Sequence, residues 1–322
     1  MIPKQNAHLH TASNTHAGMT GKNNEDRFAI LNFALSETDA TPSVFALVAD
    51  GVGGKLGGEI AATMAVEIIG RVVTASDASN PVATLMQALY DANTAILEKS
   101  RDEDEIAGMA TTATCAWVIG SRLYAANVGN SRLYLLRENV FRQISIDHSW
   151  VQEAIEHGII TPDQAHKHPN SHVITRHLGA EKMTPDMRLR LSADETNEAC
   201  EGNQGTALQP GDILFLCSDG LSDVVENVDI HAALQNRPMQ DALEHLTALA
   251  NEHGGPDNIT TVALHVPAQP AETAKPAELN EPTEPTRKRR HPLARLGIYL
   301  LSAVILTVLI VAGRLALLNW AR

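Results

Sequence analysis

The chain has few cysteines and little basic charge, and its first residues contain no apolar run. Its 322 residues include only Cys115, Cys200 and Cys217, an odd and sparse set that excludes a disulfide framework and favours a reducing compartment. The net charge of −13 argues against a nucleic-acid partner. The polar N-terminal sequence MIPKQNAHLH argues against a secretory signal peptide.

A glycine-rich turn follows an apolar run in VFALVADGVGGKLGGE, residues 44–59. A nucleotide-binding P-loop requires Ser or Thr after its lysine, whereas Leu56 follows Lys55 here. The glycines also lack the G-x-G-x-x-G spacing of a dinucleotide-binding turn. What remains is Asp50, an acid at the end of a strand that has the composition of a buried one.

The C-terminal part of the sequence differs in composition from the rest. Residues 267–292 contain six prolines and end in the basic cluster 287–290, which is typical of a linker. Residues 296–313 carry no charge, so the sequence predicts a single transmembrane helix within 293–320, with Arg314 near its end. A buried core helix and an interfacial helix are the alternatives. The basic residues before the helix favour a cytoplasmic N-terminal body.

The periodicity of the remaining residues predicts helices and strands in an α+β arrangement. Two helices follow the first strand, and three strands with tight connections come next, which favours antiparallel layers over β-α-β alternation. The predicted strands are Val44–Ala49, Thr111–Ile119, Arg122–Val128, Ser131–Arg137, Asp212–Cys217 and Asn258–Val266. The predicted helices are Gly58–Thr74, Val82–Arg101, Trp150–His157 and Gln240–Glu252.

Acidic residues recur at the ends of the predicted strands, beside Gly or Asn. Asp50 and Asp219 follow apolar strands, Asp257 precedes the last strand, and Glu25 with Asp26 starts another. Carboxylates held at such positions suit hard cations such as Mg²⁺ and Mn²⁺. Each acid taken alone is better explained as an ordinary turn residue, and the joint pattern is what indicates a metal site.

Six motifs together resemble the PPM family of metal-dependent Ser/Thr protein phosphatases, the type 2C class, in its bacterial form. They occur in the order NNED, ADGVGG, VGNSRLY, DHSWVQEA, SDGLSD and GGPDNIT. The resemblance covers about residues 14–266. It implies a central antiparallel β-sandwich flanked by helical layers, preceded by a tail at 1–13 and carrying a flap at 145–180. It also implies two Mn²⁺ or Mg²⁺ ions that activate a water for phosphoester hydrolysis.

The resemblance assigns a role to each matching residue. It implies that Asp50 bridges both ions and that the Gly51 carbonyl binds one of them. Asp219 and Asp257 would then hold the other ion, while Asp26, with Glu25, would ligate metal or metal-bound water. Asn258 is expected to orient Asp257.

The sequence departs from the family pattern at three positions. Gly21 stands where bacterial members commonly carry a phosphate-binding Arg, so Lys22 becomes the candidate for that role. Lys55 replaces a His that could donate a proton to the leaving group. Asn130 replaces an Asp, which predicts a weak third metal site.

Several alternatives remain open at this stage. The C-x5-R loop of cysteine phosphatases is missing, because 121, 206 and 223 are not Arg. The histidines of the flap could suggest zinc, although no Cys joins them. The leading interpretation is a phosphatase of phosphoserine and phosphothreonine proteins that opposes a Ser/Thr kinase at the inner membrane. A pseudophosphatase or phosphopeptide-binding scaffold and an enzyme for small phosphoesters are the rivals.

Overall fold

The computed structural model describes residues 1–53, 56–165 and 168–268. The chain divides into two units, and these residues all lie in the first, Met1–Gln269. The second unit, Pro270–Arg322, lies outside the described residues. The predicted transmembrane helix, the basic cluster and nearly all of the predicted linker therefore lie outside them too, as does Lys55.

The strands of the described residues form two large antiparallel sheets and one small one. The first sheet has the order β1-β3-β4-β7-β8-β11, the second β10-β9-β12-β13-β2, and β5 pairs with β6. Their bounds are β1 Ile2–Pro3, β2 His10–His16, β3 Arg27–Ala34, β4 Pro42–Ala49, β5 Gly51–Val52, β6 Ala110–Thr111, β7 Ala113–Ile119, β8 Arg122–Val128, β9 Arg132–Arg137, β10 Val140–Gln143, β11 Thr206–Ala207, β12 Ile213–Cys217 and β13 Ile259–His265.

Helices cover the outer faces of the two large sheets. Their bounds are α1 Gly57–Ala75, α2 Pro81–Asp102, α3 Trp150–Glu156, α4 Pro162–Ala165, α5 Asn197–Gly202, α6 Asp219–Ser222, α7 Asn227–Asn236 and α8 Met239–Glu252. A short 3-10 turn spans Asp104–Ile106. The long helices α1 and α2 start at Gly57 and Pro81, and Asn80 caps α2 by accepting from Ala83 N–H.

The position of strand β4 between two layers explains why its sequence is an uninterrupted apolar run. Val44, Ala46 and Val48 face the second sheet, whereas Phe45 and Leu47 face the layer of α1 and α2. A strand that is buried on both faces needs apolar residues at every position rather than at alternate ones. A third apolar cluster joins the second sheet to α7 and α8. The predicted antiparallel sandwich with helical layers is confirmed.

Two predictions about the elements need correction. Residues 1–13, expected to be a tail, contribute β1 and the first half of β2, because β2 pairs with β13 along its whole length. The single strand predicted for Thr111–Ile119 is split at Thr112. The chain changes partner there: β7 pairs with β4, while β6 pairs with β5.

Candidate metal centre

The predicted acidic residues gather at one end of the sandwich. Asp50 directly follows β4, Asp219 opens α6 just after β12, and Asp257 lies two residues before β13. These three line one cavity of about 740 Å³, together with Glu25 and Gly51. The two sheets thus bring together carboxylates that are far apart in the sequence.

Two glycines make this convergence sterically possible. A Cβ atom on Gly51 would collide with the backbone carbonyl of Gly58 at the start of α1. A Cβ on Gly220 would collide with the carbonyl of Asn258, next to Asp257. The glycine after each aspartate therefore allows another segment of backbone to approach the acid closely.

The carboxylates of Asp26, Asp50 and Asp219 are poorly hydrated, and this strongly raises their pKa values. Burial raises the pKa of Asp50 well above its usual range, and the charge of Asp219 raises it further. Burial likewise raises the pKa of Asp219 to about 6, with a contribution from Asp223. Burial also raises the pKa of Asp26 to about 7, against the lowering effect of hydrogen bonds from Ser218 and Thr260. Acids in such surroundings are stabilised by a proton or by a cation.

The donor set fits a hard divalent cation. Asp26 Oδ1 is buried without a hydrogen-bond partner, and so is Asn130 Oδ1. The ligand atoms are oxygens, which Mg²⁺ and Mn²⁺ prefer. In the described part of the chain, no three His, Cys, Asp or Glu side chains are already arranged as a metal-binding group. Asp50 and Asp219 lie close enough for each to affect the other's pKa, so a cation beside them would offset their mutual repulsion.

A buried hydroxyl behind the acids holds Asp26, and the sequence alone did not reveal it. Ser218 Oγ donates to Asp26 Oδ2 at 2.7 Å and accepts from the Thr260 N–H at 2.9 Å. Ser218 directly precedes Asp219, and that adjacency was the available signal. Its partner Asp26 is 192 positions away, so only the fold shows the contact.

Thr112 plays a similar part for Asp50. Its hydroxyl accepts from the Asp50 N–H at 2.9 Å, and its own N–H donates to the Asp50 carbonyl at 2.9 Å. Its hydroxyl also lies 2.8 Å from that of Ser131, which follows Asn130. The break between β6 and β7 thus places a hydroxyl against the backbone of the predicted bridging ligand.

The side chain of Asn258 links the backbone segments around the acids, whereas it was expected to orient Asp257. Its side-chain oxygen accepts from the Glu25 N–H at 2.7 Å, and its amide nitrogen donates to the carbonyls of Ala17 and Asn23. Only its backbone N–H contacts the Asp257 carboxylate, at 2.9 Å.

The comparisons with known proteins agree with this geometry. The family model described as Protein phosphatase 2C matches residues 15–260. The chain belongs to the protein phosphatase 2C family. The resemblance drawn from the six motifs is thereby confirmed, and the domain described above is a phosphatase 2C domain.

Named relatives are Ser/Thr phosphatases of bacteria. The serine/threonine protein phosphatase PstP of Mycobacterium tuberculosis is 33% identical over 258 residues, 80% of this chain and 45% of that protein. The serine/threonine phosphatase stp of Listeria monocytogenes is 32% identical over 260 residues, 79% of this chain and 94% of that protein. The catalytic domain of PstP, solved in complex with two manganese ions, has a TM-score of 0.64 at 31% identity, covering 80% of this chain and 97% of that chain. The chain thus spans less than half the length of the mycobacterial relative.

Of the positions discussed as departures from the family, Lys22 and Asn130 belong to the described residues, and they lie in or beside the cavity of the phosphatase 2C domain. Lys22 is exposed and lines the cavity, where its charge acts on Glu25. Asn130 is buried, and its Nδ2 donates to Asp219 Oδ2 at 2.8 Å. The side-chain nitrogen of Asn130, rather than its oxygen, therefore faces the acid.

The histidines of the flap contact different partners. His148 is buried and lies 3.3 Å from Asp186 Oδ2 through Nε2, while its Nδ1 accepts from the Gly129 N–H. His172 Nδ1 lies 2.9 Å from Asp223 Oδ2, and His168 stacks on Trp150. His166 lies outside the described residues.

The three cysteines are buried and free. Burial raises the pKa of Cys217 to about 12, so this thiol is poorly suited to act as a nucleophile at neutral pH.

Proposed function

We propose that the protein hydrolyses phosphoserine and phosphothreonine in phosphoprotein substrates, using two Mn²⁺ or Mg²⁺ ions. The observation that supports this most directly is the convergence of Asp50, Asp219 and Asp257 on one cavity in a phosphatase 2C domain. The named Ser/Thr phosphatases among the relatives, and the two manganese ions of the PstP catalytic domain, support the same activity and cofactor.

The residues of the cavity would have distinct roles in binding the ions and in orienting water. When bound, the two ions would activate a water and offset the negative charge of the phosphoryl oxygens. Asp50 would serve both ions, the Gly51 carbonyl would bind one of them, and Asp219 and Asp257 would hold the other. Asp26, fixed by Ser218, would orient water or complete the ligand set.

The phosphate of the substrate carries negative charge into an acidic cavity, so a positive group at the rim would reduce the electrostatic repulsion. Lys22 is an exposed cation that lines the cavity among the described residues. We propose that it orients the phosphate as a point charge, without the two-pronged contact that Arg would make. Glu25, also in the lining, would assist Asp26.

A third, weaker cation site involves Asn130. The Asn130 amide supplies a single neutral oxygen, so a cation there would be held less strongly than by a carboxylate. Binding would require the amide to turn from its present contact with Asp219.

A proposal about location rests on the C-terminal sequence. No helix in the described residues is both long and apolar enough to cross a bilayer, and residues 296–313 lie outside them. The uncharged run and the basic cluster 287–290 support a single-pass anchor in the inner membrane, with the phosphatase 2C domain in the cytoplasm and a Ser/Thr kinase as its counterpart. We expect the full-length chain to stay in the membrane fraction in high salt; release by salt alone would indicate an electrostatic attachment instead.

Turnover of a phosphothreonine peptide by the full-length protein tests the activity. We expect hydrolysis with Mn²⁺ and none in excess chelator, with activity restored when the metal is returned. Peptide binding without turnover in Mn²⁺ or Mg²⁺ would favour the pseudophosphatase alternative. Turnover of a small aryl phosphate but not of the peptide would favour a small phosphoester substrate.

A further inference from the structure

The turn that joins β8 to β9 contacts the candidate metal centre in two places. Asn130 Nδ2 donates to Asp219 Oδ2 at 2.8 Å. The Ser131 hydroxyl lies 2.8 Å from the hydroxyl of Thr112, which accepts from the Asp50 N–H. The turn therefore reaches Asp219 directly, and it reaches the backbone of Asp50 through a single hydroxyl.

The first residue of this turn, Gly129, packs tightly and is held on both sides of its peptide backbone. Its φ of +109° is one that residues with side chains rarely adopt, and a Cβ there would lie 2.5 Å from Thr112 Cγ2. The Gly129 N–H donates to His148 Nδ1 at 3.1 Å, and its carbonyl accepts from the His148 N–H at 2.9 Å. One histidine thus holds the start of the turn through two hydrogen bonds.

The ring of His148 is itself fixed, because its other nitrogen has a charged partner. The residue is 3% exposed, and since Nδ1 accepts from Gly129, the ring proton lies on Nε2. Nε2 lies 3.3 Å from Asp186 Oδ2, and Arg188 donates to the same carboxylate. Arg176 Nη1, 3.5 Å from Nε2, is a donor too, so Asp186 is the partner of that proton.

His148 also contacts the far end of the flap. Its carbonyl accepts from the Thr175 N–H at 2.9 Å. Ile174, the residue before Thr175, lines the cavity of the candidate metal centre. His148 therefore joins the turn beside the acids to the part of the flap that borders the cavity.

We propose that His148 is a positioning residue for the two metal ions. Its ring, oriented by Asp186, fixes Gly129, and the turn that follows holds Asp50 and Asp219 in place for the ions. His148 itself contacts neither ion. The inference rests on the two-metal site of the proposed function and adds a residue to it. Loss of such a supporting contact typically lowers metal affinity about 10–100-fold.

Two substitutions separate the two nitrogens of His148. The amide of Asn lies near the position of Nδ1, so His148→Asn keeps an acceptor for the Gly129 N–H and loses the bond to Asp186. The longer Gln places its amide near the position of Nε2. His148→Gln therefore keeps a donor to Asp186 and loses the acceptor for Gly129.

Calorimetric titration of the full-length protein with Mn²⁺ measures the effect. We expect His148→Gln to lower Mn²⁺ affinity at least tenfold, by roughly the loss typical of such contacts, and His148→Asn to stay close to the wild type. Urea unfolding in chelator should rank the variants in the opposite order, because a hydrogen bond to a buried carboxylate contributes more than one to a neutral amide. A role in packing alone would make affinity follow stability. Equal Mn²⁺ affinities, or a lower affinity in His148→Asn, would overturn the inference.

His8→Gln is the matched control. His8 Nε2 lies 2.8 Å from the Gly120 carbonyl, at the end of β7 away from Thr112, so Mn²⁺ affinity should stay that of the wild type. If a His148 variant does not fold, Ser131→Ala tests the same path, because it removes the hydroxyl beside Thr112 and leaves His148 in place. Ser131→Ala should weaken Mn²⁺ binding, and unchanged binding would refute the inference.

The metal titration also separates this inference from the proposed function. If the wild type hydrolyses the phosphothreonine peptide, His148→Gln should need more Mn²⁺ than the wild type to reach its half-maximal rate. If the wild type hydrolyses no peptide, the phosphatase function fails. The Mn²⁺ affinities of the two His148 variants then still decide whether His148 positions the metal ligands.

Discussion

Replacing Ser218 by alanine tests the buried contacts behind the candidate metal centre. Ser218 is fully buried, donates to Asp26 at 2.7 Å and accepts from the Thr260 N–H at 2.9 Å. A hydrogen bond to a charged group contributes about 1.5–3 kcal/mol, and an orphaned buried amide costs about 1–3 kcal/mol. We expect Ser218→Ala to lower the free energy of unfolding by about 3 kcal/mol, out of about 5–15 kcal/mol for a typical domain.

Ser222→Ala is the matched control. Ser222 lies four residues further on and is also buried, but its hydroxyl has no partner. Its removal costs no hydrogen bond, so the free energy of unfolding should change by less than about 0.5 kcal/mol or increase.

Urea unfolding of Met1–Gln269, followed by far-ultraviolet circular dichroism, measures both effects. The measurement is made in the presence of chelator at pH 8. Asp26, with a pKa of about 7, is mostly ionised at this pH, so its hydrogen bond from Ser218 is strongest. Ser218→Ala should also weaken Mn²⁺ binding in calorimetry, because Asp26 loses the group that fixes it. Unfolding midpoints and slopes that are the same for Ser218→Ala and Ser222→Ala would refute the reasoning.

Three further predictions follow from the described contacts. Asp50→Asn should lower Mn²⁺ affinity at least tenfold in calorimetry, since a bridging ligand loses its charge; unchanged affinity would contradict the assignment of Asp50. Asn130→Asp should tighten the weak third site and raise turnover at low millimolar metal; if metal titration and turnover both stay unchanged, Asn130 is only a turn residue. Asp186→Asn should destabilise the domain by about 2–3 kcal/mol at pH 7, because hydrogen bonds from His148 and Arg188 outweigh burial and hold the pKa of Asp186 well below its usual range. A carboxyl whose pKa is lowered by folding stabilises the folded state above its unfolded pKa of about 4, and this stabilisation is lost as the pH falls. The free energies of unfolding of the wild type and the variant should therefore converge in acid. A constant difference between them from pH 7 to pH 3 would contradict this.

The sequence predicted most of the fold because its local signals were strong. The bounds of α1 and α2 were predicted to within one residue at each end, since Gly57 and Pro81 mark their starts. The fully apolar strands β4 and β12 were equally clear. Strand β2 was missed because its residues, HTASNTH, are polar and half exposed at a sheet edge.

The acids of the candidate site were predictable, whereas their supports were not. Asp50, Asp219 and Asp257 each stand out locally, as an acid beside Gly or Asn at a strand end. Ser218 and Thr112 do not stand out, because a buried serine or threonine has no distinctive neighbours in the sequence. Their roles depend on contacts such as that between positions 218 and 26, which only the paired sheets create.

Unpaired polar atoms gather at the end of the sandwich that carries the candidate metal centre. Seven buried side-chain polar atoms lack a partner in the described residues, and three of them lie here, namely Asp26 Oδ1, Asn130 Oδ1 and Ser222 Oγ. A fold that leaves polar atoms unpaired around Asp219 carries a desolvation cost that donors or cations would offset. Metal ions suit the carboxylates and the Asn130 amide oxygen at this end of the sandwich, since all of these ligand atoms are oxygens.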